Sequence, residues 1–130
     1  MTDDEPAVKV VLDTSAVLAF TRGSVAVGEI IAEVADEPGC VVGLPVLCLA
    51  EAKRVTADPD RLDLLVNHPI TVVIAPDPGS WRALAVTCDT VGRFDAASAV
   101  LAAIDLGVDV LTGQPGLYAG LAGGGPVLAF

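Results

Sequence analysis

The sequence predicts a single α/β domain, a three-layer α/β/α sandwich with a central parallel sheet of four to five strands. Three observations predict this class. Short runs rich in β-branched residues alternate with longer helical patterns along the chain. These runs are continuously apolar, as expected of parallel strands that helices cover on both faces. The length of 130 residues suits one domain over 1–130, without a linker or an internal repeat.

The first half of the chain predicts two strands and three helices. Ser24 is expected to cap the second helix, and Pro45 suits the first turn of the third. The predicted elements are a strand at 8–12, a helix at 16–20, a helix at 25–37, a strand at 40–44 and a helix at 46–56. The apolar stripe of the second helix consists of Val25, Ile30, Ile31 and Val34.

The second half continues the alternation. Asp60 and Ser80 are the predicted caps of two helices, Gly107 closes a third, and Trp81 is expected to anchor a helix start in the core. The predicted elements are helices at 61–67, 81–91 and 95–106, strands at 70–75 and 108–111, a turn at 115–121 and a candidate fifth strand at 126–130.

Composition narrows the class of protein further. Hydrophobic residues make up 53% of the chain and aromatic residues only 4%, so the core is expected to consist of small aliphatic side chains. No apolar run reaches the roughly 18–20 residues that cross a bilayer, and the acidic start MTDDEP does not resemble a signal peptide, which predicts a cytoplasmic protein without a membrane anchor. Cys40, Cys48 and Cys88 are expected to be reduced core residues.

Three carboxylates are expected to converge at one edge of the sheet. In an open parallel sheet, ligands bind beyond the carboxyl ends of the strands. Asp13 directly follows the first strand, and Asp95 opens the helix that leads into the fourth, so both belong at this edge. Glu51 lies on an apolar stripe of the helix after the second strand and can lean toward the same edge.

A cluster of three acids needs a neutralising cation, because mutual repulsion would otherwise destabilise it. Oxygen ligands without clustered His or Cys predict Mg²⁺ or Mn²⁺ rather than zinc. Each acid also has a purely structural interpretation: Asp13 as a helix cap, Asp95 as a favourable acid in a first helical turn, and Glu51 as the partner of a nearby arginine. His68 and the glycine run 123–125 are interpreted as structural.

The segments that carry these residues resemble the PIN domain, in its VapC-type toxin branch. They are LDTSAVLAF with Asp13, PVLCLAEAKR with Glu51, FDAASAVLAA with Asp95, and VDVLT before a short loop, in that order over nearly the whole chain. The resemblance implies a metal-dependent endoribonuclease of the toxin–antitoxin type, an antitoxin partner and a homodimer. It implies that Asp13, Glu51 and Asp95 bind the metal and that Thr112 is the hydroxyl after the fourth strand.

The sequence departs from the family at Gln114, where the pattern has an acid two residues after the threonine. The leading hypothesis is hydrolysis of RNA phosphodiester bonds: Asp13 and Asp95 hold the metal, and Glu51 orients or deprotonates the attacking water. Gln114 and the net charge of −10 favour an alternative, a catalytically weakened PIN-like module that works by binding protein or nucleic acid. A haloacid-dehalogenase-type phosphatase is a third hypothesis, disfavoured because DTS lacks the second aspartate.

The remaining predictions concern the surroundings of the acids and the surface. Thr14, Ser15, Thr112 and Gln114 are expected to support them as neighbouring polar groups. A basic rim that contacts RNA phosphates is expected from Arg22, Lys53, Arg54 and Arg93. The helices at 25–37 and 61–67 are expected to form a cleft or dimer face, with Val25, Ile30, Leu64 and Leu65 as the candidates for exposure.

Overall fold

A sheet of five parallel strands lies at the centre of residues 5–130, the part of the chain that the computed structural model describes. The strands are β1 (Ala7–Leu12), β2 (Cys40–Pro45), β3 (Thr71–Ile74), β4 (Asp109–Thr112) and β5 (Val127–Ala129). Their order across the sheet is β3-β2-β1-β4-β5, and every neighbouring pair is parallel. The predicted fold class is confirmed, including the fifth strand. Residues 1–4, which belong to the acidic start, lie outside the described part.

Six α-helices cover the two faces of the sheet. They are α1 (Thr14–Thr21), α2 (Val25–Ala35), α3 (Val46–Val55), α4 (Pro59–Val66), α5 (Trp81–Val91) and α6 (Phe94–Leu106). Short 3₁₀ turns follow β3 and β4, over Pro78–Ser80 and Pro115–Tyr118, and a third covers Ala122–Gly124.

The central strand β1 divides the core into two clusters. Val10 and Leu12 pack on one face with residues of α1, α2 and α4, whereas Val11 packs on the other with α6 and α5. This alternation places helices on both faces, because successive side chains of a strand point to opposite sides. Helix α3 contributes Ala52 to the first cluster and Cys48 to the second, so it spans the rim between them.

The structure differs from three predictions about the starts of α4 and α5. Asp58, not Asp60, caps α4, since its side chain accepts a hydrogen bond from the Arg61 backbone N–H and Pro59 occupies the first helical position. Trp81 is 60% exposed and stacks with the Arg82 guanidinium, 4.2 Å from its ring, instead of anchoring α5 in the core. Ser80 precedes α5 without a side-chain cap, because its hydroxyl donates to the Asp77 carbonyl.

The expected surface of α2 and α4 is found only in part. Val25 and Leu64 are exposed, whereas Leu65 is completely buried and Ile30 packs against the first cluster. The 3.6-residue period of the helix explains the difference, because Leu64 and its neighbour Leu65 point about 100° apart. Val25 is therefore not part of the core stripe of α2, which consists of Val27, Ile31 and Val34.

No single helix within residues 5–130 is long and apolar enough to cross a bilayer. Only α1 and α2 taken together reach the required length and hydropathy, and a bend of 102° separates them.

Candidate functional site

Asp13 sits where β1 ends and α1 begins. Its backbone N–H donates to the Leu111 carbonyl of β4 at 3.3 Å, which continues the strand ladder by one residue. Its side chain caps α1 by accepting from the Ala16 N–H at 3.0 Å on Oδ1. The residue is only 2% exposed, so its carboxylate lies at the carboxyl edge of the sheet but beneath the surface. The capping role considered from the sequence is therefore correct.

Tyr118 provides the second partner of this carboxylate. Its hydroxyl donates to Oδ2 of Asp13 at 2.7 Å, while its ring is completely buried in the second core cluster. Burial, followed by the charge of Asp13, raises the pKa of the Tyr118 phenol far above its ordinary value. The sequence predicts only a turn around this residue and no contact with Asp13. The one feature of the sequence that could have drawn attention to Tyr118 is that it is the only tyrosine of the chain.

Asp95 is bound on both carboxylate oxygens at the start of α6. The Arg93 guanidinium donates two hydrogen bonds of 2.9 Å, from Nε to Oδ1 and from Nη2 to Oδ2, and the Thr14 hydroxyl donates to Oδ2 at 2.5 Å. Burial raises the pKa of Asp95, but the hydrogen bonds from Arg93 and Thr14 outweigh it and leave that pKa below its ordinary value. Asp95 is therefore an ionised carboxylate whose counter-charge is an arginine.

Hydroxyl groups of the two residues after Asp13 bind the acids. Thr14 directly follows Asp13 in the chain and its hydroxyl donates to Asp95, so the start of α1 lies next to both acids. The Ser15 hydroxyl donates to Oδ1 of Asp13 at 2.6 Å, accepts from the Gly113 N–H at 2.9 Å and lies 3.3 Å from Oγ1 of Thr112. Three of the four predicted supporting residues, Thr14, Ser15 and Thr112, thus surround the acids.

Glu51 lies on α3 at the rim and is paired with Arg54. Nη1 of Arg54 donates to both carboxylate oxygens of Glu51, at 2.7 and 2.8 Å. The structural alternative considered from the sequence, that Glu51 pairs with a nearby arginine, is therefore correct. The hydrogen bonds that Arg93 donates to Asp95 and the charge of Asp95 raise the pKa of Arg93, and the charge of Glu51 adds to this effect, so Glu51 lies on the Arg93 side of the site.

Two clefts open beside this network, and both include Glu51 and Arg93. The first cleft has a volume of about 370 Å³, and its polar lining consists of Thr14, Ser15, Arg22, Glu51, Arg93 and Gln114. The second cleft has a volume of about 570 Å³ and is lined by Leu47, Ala50, Glu51, Arg54, Arg93, Phe94 and Asp95. A further cavity of about 590 Å³ lies between β3 and α6, is mostly apolar and contains none of the three acids.

Three of the four predicted rim cations line these clefts. Arg22 lines the first, Arg54 the second and Arg93 both, whereas Lys53 is exposed on α3 outside them. Gln114 is exposed at the first cleft, and its backbone N–H donates to Oγ1 of Thr112 at 2.9 Å. The clefts are thus lined by guanidinium groups in a chain with a net charge of −10.

Cys48 packs against the start of α6 on the core side of the site. Its thiol donates to the Asp95 backbone carbonyl at 3.3 Å and is buried in the second cluster. Burial raises the pKa of Cys48 to about 12, with smaller contributions from the charges of Asp95 and Asp13. The thiol is therefore protonated at neutral pH, and its role is structural.

The donor chemistry of this site suits Mg²⁺ or Mn²⁺, since it consists of carboxylate and hydroxyl oxygens. In the part of the chain that the structure describes, however, no three acidic, histidine or cysteine side chains are grouped so that they share one ion. Asp13 and Asp95, which lie on either side of Thr14, are the pair that would hold such a cation, and Arg93 competes with it for Asp95.

Comparison with known proteins establishes the fold. No protein-family model and no curated protein matches the chain. Among solved structures, the crystal structure of PAE2754 from Pyrobaculum aerophilum matches with a TM-score of 0.64 and 16% sequence identity, covering 94% of this chain and 89% of that one. The chain therefore has a three-layer α/β/α fold similar to that of PAE2754.

Proposed function

We propose that this protein is a metal-dependent ribonuclease of the PIN type, which hydrolyses RNA phosphodiester bonds at the two clefts. One observation carries the proposal: Asp13 and Asp95 are buried at the carboxyl edge of the sheet, where the hydroxyl of Thr14, the residue after Asp13, donates to the Asp95 carboxylate, beside clefts lined by arginines. The edge position agrees with the general location of ligand sites in open parallel sheets.

The burial of these acids supports a functional role. Asp13 is 2% and Asp95 9% exposed in a core otherwise made of small aliphatic side chains. Removing an ionised carboxylate from water is costly even when it is hydrogen-bonded, and an apolar pair of similar size would often be equally stable or more so. Two such groups next to an accessible cleft therefore favour a chemical role over a purely structural one.

The proposed roles follow from the position of each side chain. Arg22 and Arg93 bind nonbridging phosphate oxygens of the RNA, because planar guanidinium groups suit this geometry. Once Arg93 leaves Asp95, the carboxylates of Asp13 and Asp95 are available to hold Mg²⁺ or Mn²⁺. When bound, the cation would supply positive charge that stabilises the pentacovalent phosphate. Glu51 orients the attacking water and accepts its proton on a carboxylate oxygen.

The Glu51→Gln variant tests this function with little risk to folding, because Glu51 lies at the rim and its only bonded side chain is the exposed Arg54. A fluorescent single-stranded RNA is incubated with the natural chain and the variant, with Mn²⁺ or with EDTA. We expect cleavage that requires Mn²⁺ and that falls at least a hundredfold in Glu51→Gln. Glu33→Gln, which makes the same change on the exposed side of α2, is the control and should cleave normally. Equal cleavage by all three chains, with or without metal, would indicate a contaminating nuclease and overturn the proposal.

A second candidate function is a PIN-like module that binds RNA or protein without efficient hydrolysis. It is favoured by the partners of the acids, since Arg93, Arg54 and Tyr118 hold the three carboxylates, and by the neutral Gln114. In the same assay this module would bind the RNA and leave it intact with every metal.

We also propose a cytoplasmic location, an antitoxin as protein partner and a homodimer. The surface that supports the partner is formed by the exposed Val25 and Leu64 on α2 and α4. The Arg61 side chain of α4 reaches the turn before α2, because a Cβ added at Gly23 would lie 3.0 Å from its Nη1. Sedimentation of the natural chain and of Leu64→Glu tests the dimer, which should dissociate in the variant if this surface forms it.

A further inference from the structure

Phe94 exposes its ring where an apolar side chain would be expected to be covered. It is the first residue of α6 and is 60% exposed, directly between Arg93 and Asp95 in the chain. The chain contains only three phenylalanines, one tyrosine and one tryptophan, so aromatic rings are scarce. Tyr118 is used in the core, and Phe20 packs against the first cluster. The exposed ring beside the acids is therefore a candidate binding surface for another molecule.

The surroundings of this ring indicate the chemistry of that partner. Phe94 lines the second cleft with the aliphatic side chains of Leu47 and Ala50, which form an apolar wall, and with two ion pairs, Arg54 with Glu51 and Arg93 with Asp95. A flat apolar surface next to guanidinium groups suits a planar base attached to a phosphate, which replaces a carboxylate as the partner of an arginine. Proteins that bind single strands combine these two elements, because every base has a face that can stack.

The other exposed rings lie in different surroundings. Trp81, equally exposed at 60%, lies on α5 outside both clefts, and the Arg82 guanidinium already covers one face of its ring. Phe130 lines the first cleft, but its ring covers the backbone of Gly113, so that a Cβ added there would lie only 3.1 Å from the ring. Phe94 is thus the exposed ring of the second cleft.

We infer that Phe94 stacks on an unpaired base of single-stranded RNA and so positions the adjacent phosphate at Arg93, next to Asp95. This inference rests on the proposed function for the identity of the substrate and names the residue that selects unpaired RNA. Bases of a duplex are already stacked on one another and do not offer this face. Phe94 is a positioning residue and takes no part in the chemistry itself.

The test measures RNA binding in EDTA, where no cleavage occurs. The probe is an eight-nucleotide single-stranded RNA with one 2-aminopurine, whose fluorescence is quenched when the base stacks. We expect the natural chain to quench the probe and Phe94→Ala to bind it roughly five- to a hundredfold more weakly without quenching. Phe94→Trp should restore both signals, because it restores a ring, and affinity for a duplex of the same length should be the same in all variants.

Two exposed side chains provide matched controls. The control variants are Ile104→Ala, at a residue that is 59% exposed at the other end of α6, and Trp81→Ala. Both should bind and quench like the natural chain. Equal affinity of Phe94→Ala and Ile104→Ala, with unchanged quenching, would overturn the inference.

The outcomes also separate this inference from the proposed function. Binding that depends on Phe94, without cleavage in Mn²⁺, supports the inference and overturns the nuclease. Cleavage that is unaffected by Phe94→Ala supports the nuclease and overturns the inference. A natural chain that binds no RNA overturns both.

Discussion

The Tyr118 hydroxyl donates a 2.7 Å hydrogen bond to the carboxylate of Asp13, a residue 105 positions earlier in the chain. Both side chains are almost completely buried, so this bond joins the start of α1 to the turn after β4 within the core. A buried carboxylate that loses such a donor keeps its desolvation cost without compensation. The bond therefore helps to stabilise the acid at the edge of the sheet.

Ionisation of Tyr118 is expected to be coupled to unfolding at alkaline pH. The pKa of the phenol is raised from 10.0 by burial and by the charge of Asp13, so the unfolded chain loses this proton at a lower pH than the folded one. Stability should therefore be constant below about pH 9 and fall as the pH rises through 10. Cys48, with a pKa raised from 9.0 to about 12, adds to the same trend.

The measurement uses the fact that Tyr118 is the only tyrosine. Tyrosinate absorbance should appear only together with loss of helical circular dichroism. Tyr118→Phe should be destabilised by about 1–3 kcal/mol at pH 7 and show a shallower alkaline decline. Tyrosinate formation near pH 10 in a folded chain would contradict the arrangement.

Because of Asp95, the stability of the folded chain is expected to fall as the pH is lowered into the acid range. Its pKa lies below the ordinary value despite burial, because Arg93 and Thr14 bind the ionised form. The stabilisation is present above the unfolded pKa near 4 and is lost as the pH falls through the lower, folded value. Urea denaturation between pH 6 and 2 should show this decline, and Asp95→Asn should flatten it. Asp63→Asn, on the exposed side of α4, should retain the full slope.

Removing the competing cation should strengthen metal binding. In Arg93→Gln, Asp95 keeps its bond from Thr14 but loses the guanidinium on both oxygens. A half-exposed pair is worth roughly 1 kcal/mol, so we expect Mn²⁺ to bind about three- to tenfold more tightly in calorimetry. Arg61→Gln removes the same charge from an arginine that pairs with Asp58 and should leave Mn²⁺ affinity unchanged. An unchanged or lower affinity in Arg93→Gln would show that Arg93 does not compete with the metal for Asp95.

The neutral Gln114 offers a gain-of-function test. It is exposed at the first cleft, which Glu51 and Arg93 also line. An added carboxylate attracts a cation, but desolvation and repulsion by the other acids cancel much of the gain, which leaves about 1 kcal/mol. Gln114→Asp should therefore bind Mn²⁺ several-fold more tightly and cleave RNA faster. Asn67→Asp adds the same charge at the end of α4 and should change neither property. Tighter metal binding without cleavage would favour the binding module.

The salt dependence of RNA binding should distinguish the cations that line the clefts from Lys53. Each phosphate contact on a single strand contributes about 0.7 to the slope of log affinity against log salt. Arg22→Ala should lower the slope by about that amount, because Arg22 lines the first cleft. Lys53→Ala should lower it less, since Lys53 lies outside both clefts. Fluorescence anisotropy in EDTA at several salt concentrations measures both slopes.

The sequence predicts the backbone of this site better than its hydrogen bonds. Asp13 and Asp95 could be placed at one edge because parallel topology brings strand ends and helix starts together. The direction of Glu51 could not be predicted, because a helical carboxylate three residues before an arginine can turn toward it or toward the sheet. Tyr118 was missed since a 3₁₀ turn has no periodicity that would reveal which side chain points inward.

The arrangement of the sheet determines when the candidate site can be completed during translation. β1 is synthesised first but lies in the middle, and its neighbour β4 follows about a hundred residues later. Until β4 and the turn with Tyr118 have left the ribosome, Asp13 lacks the Tyr118 hydroxyl and the edge of the sheet beside Asp95 is incomplete. The candidate site is therefore among the last parts of the fold to form.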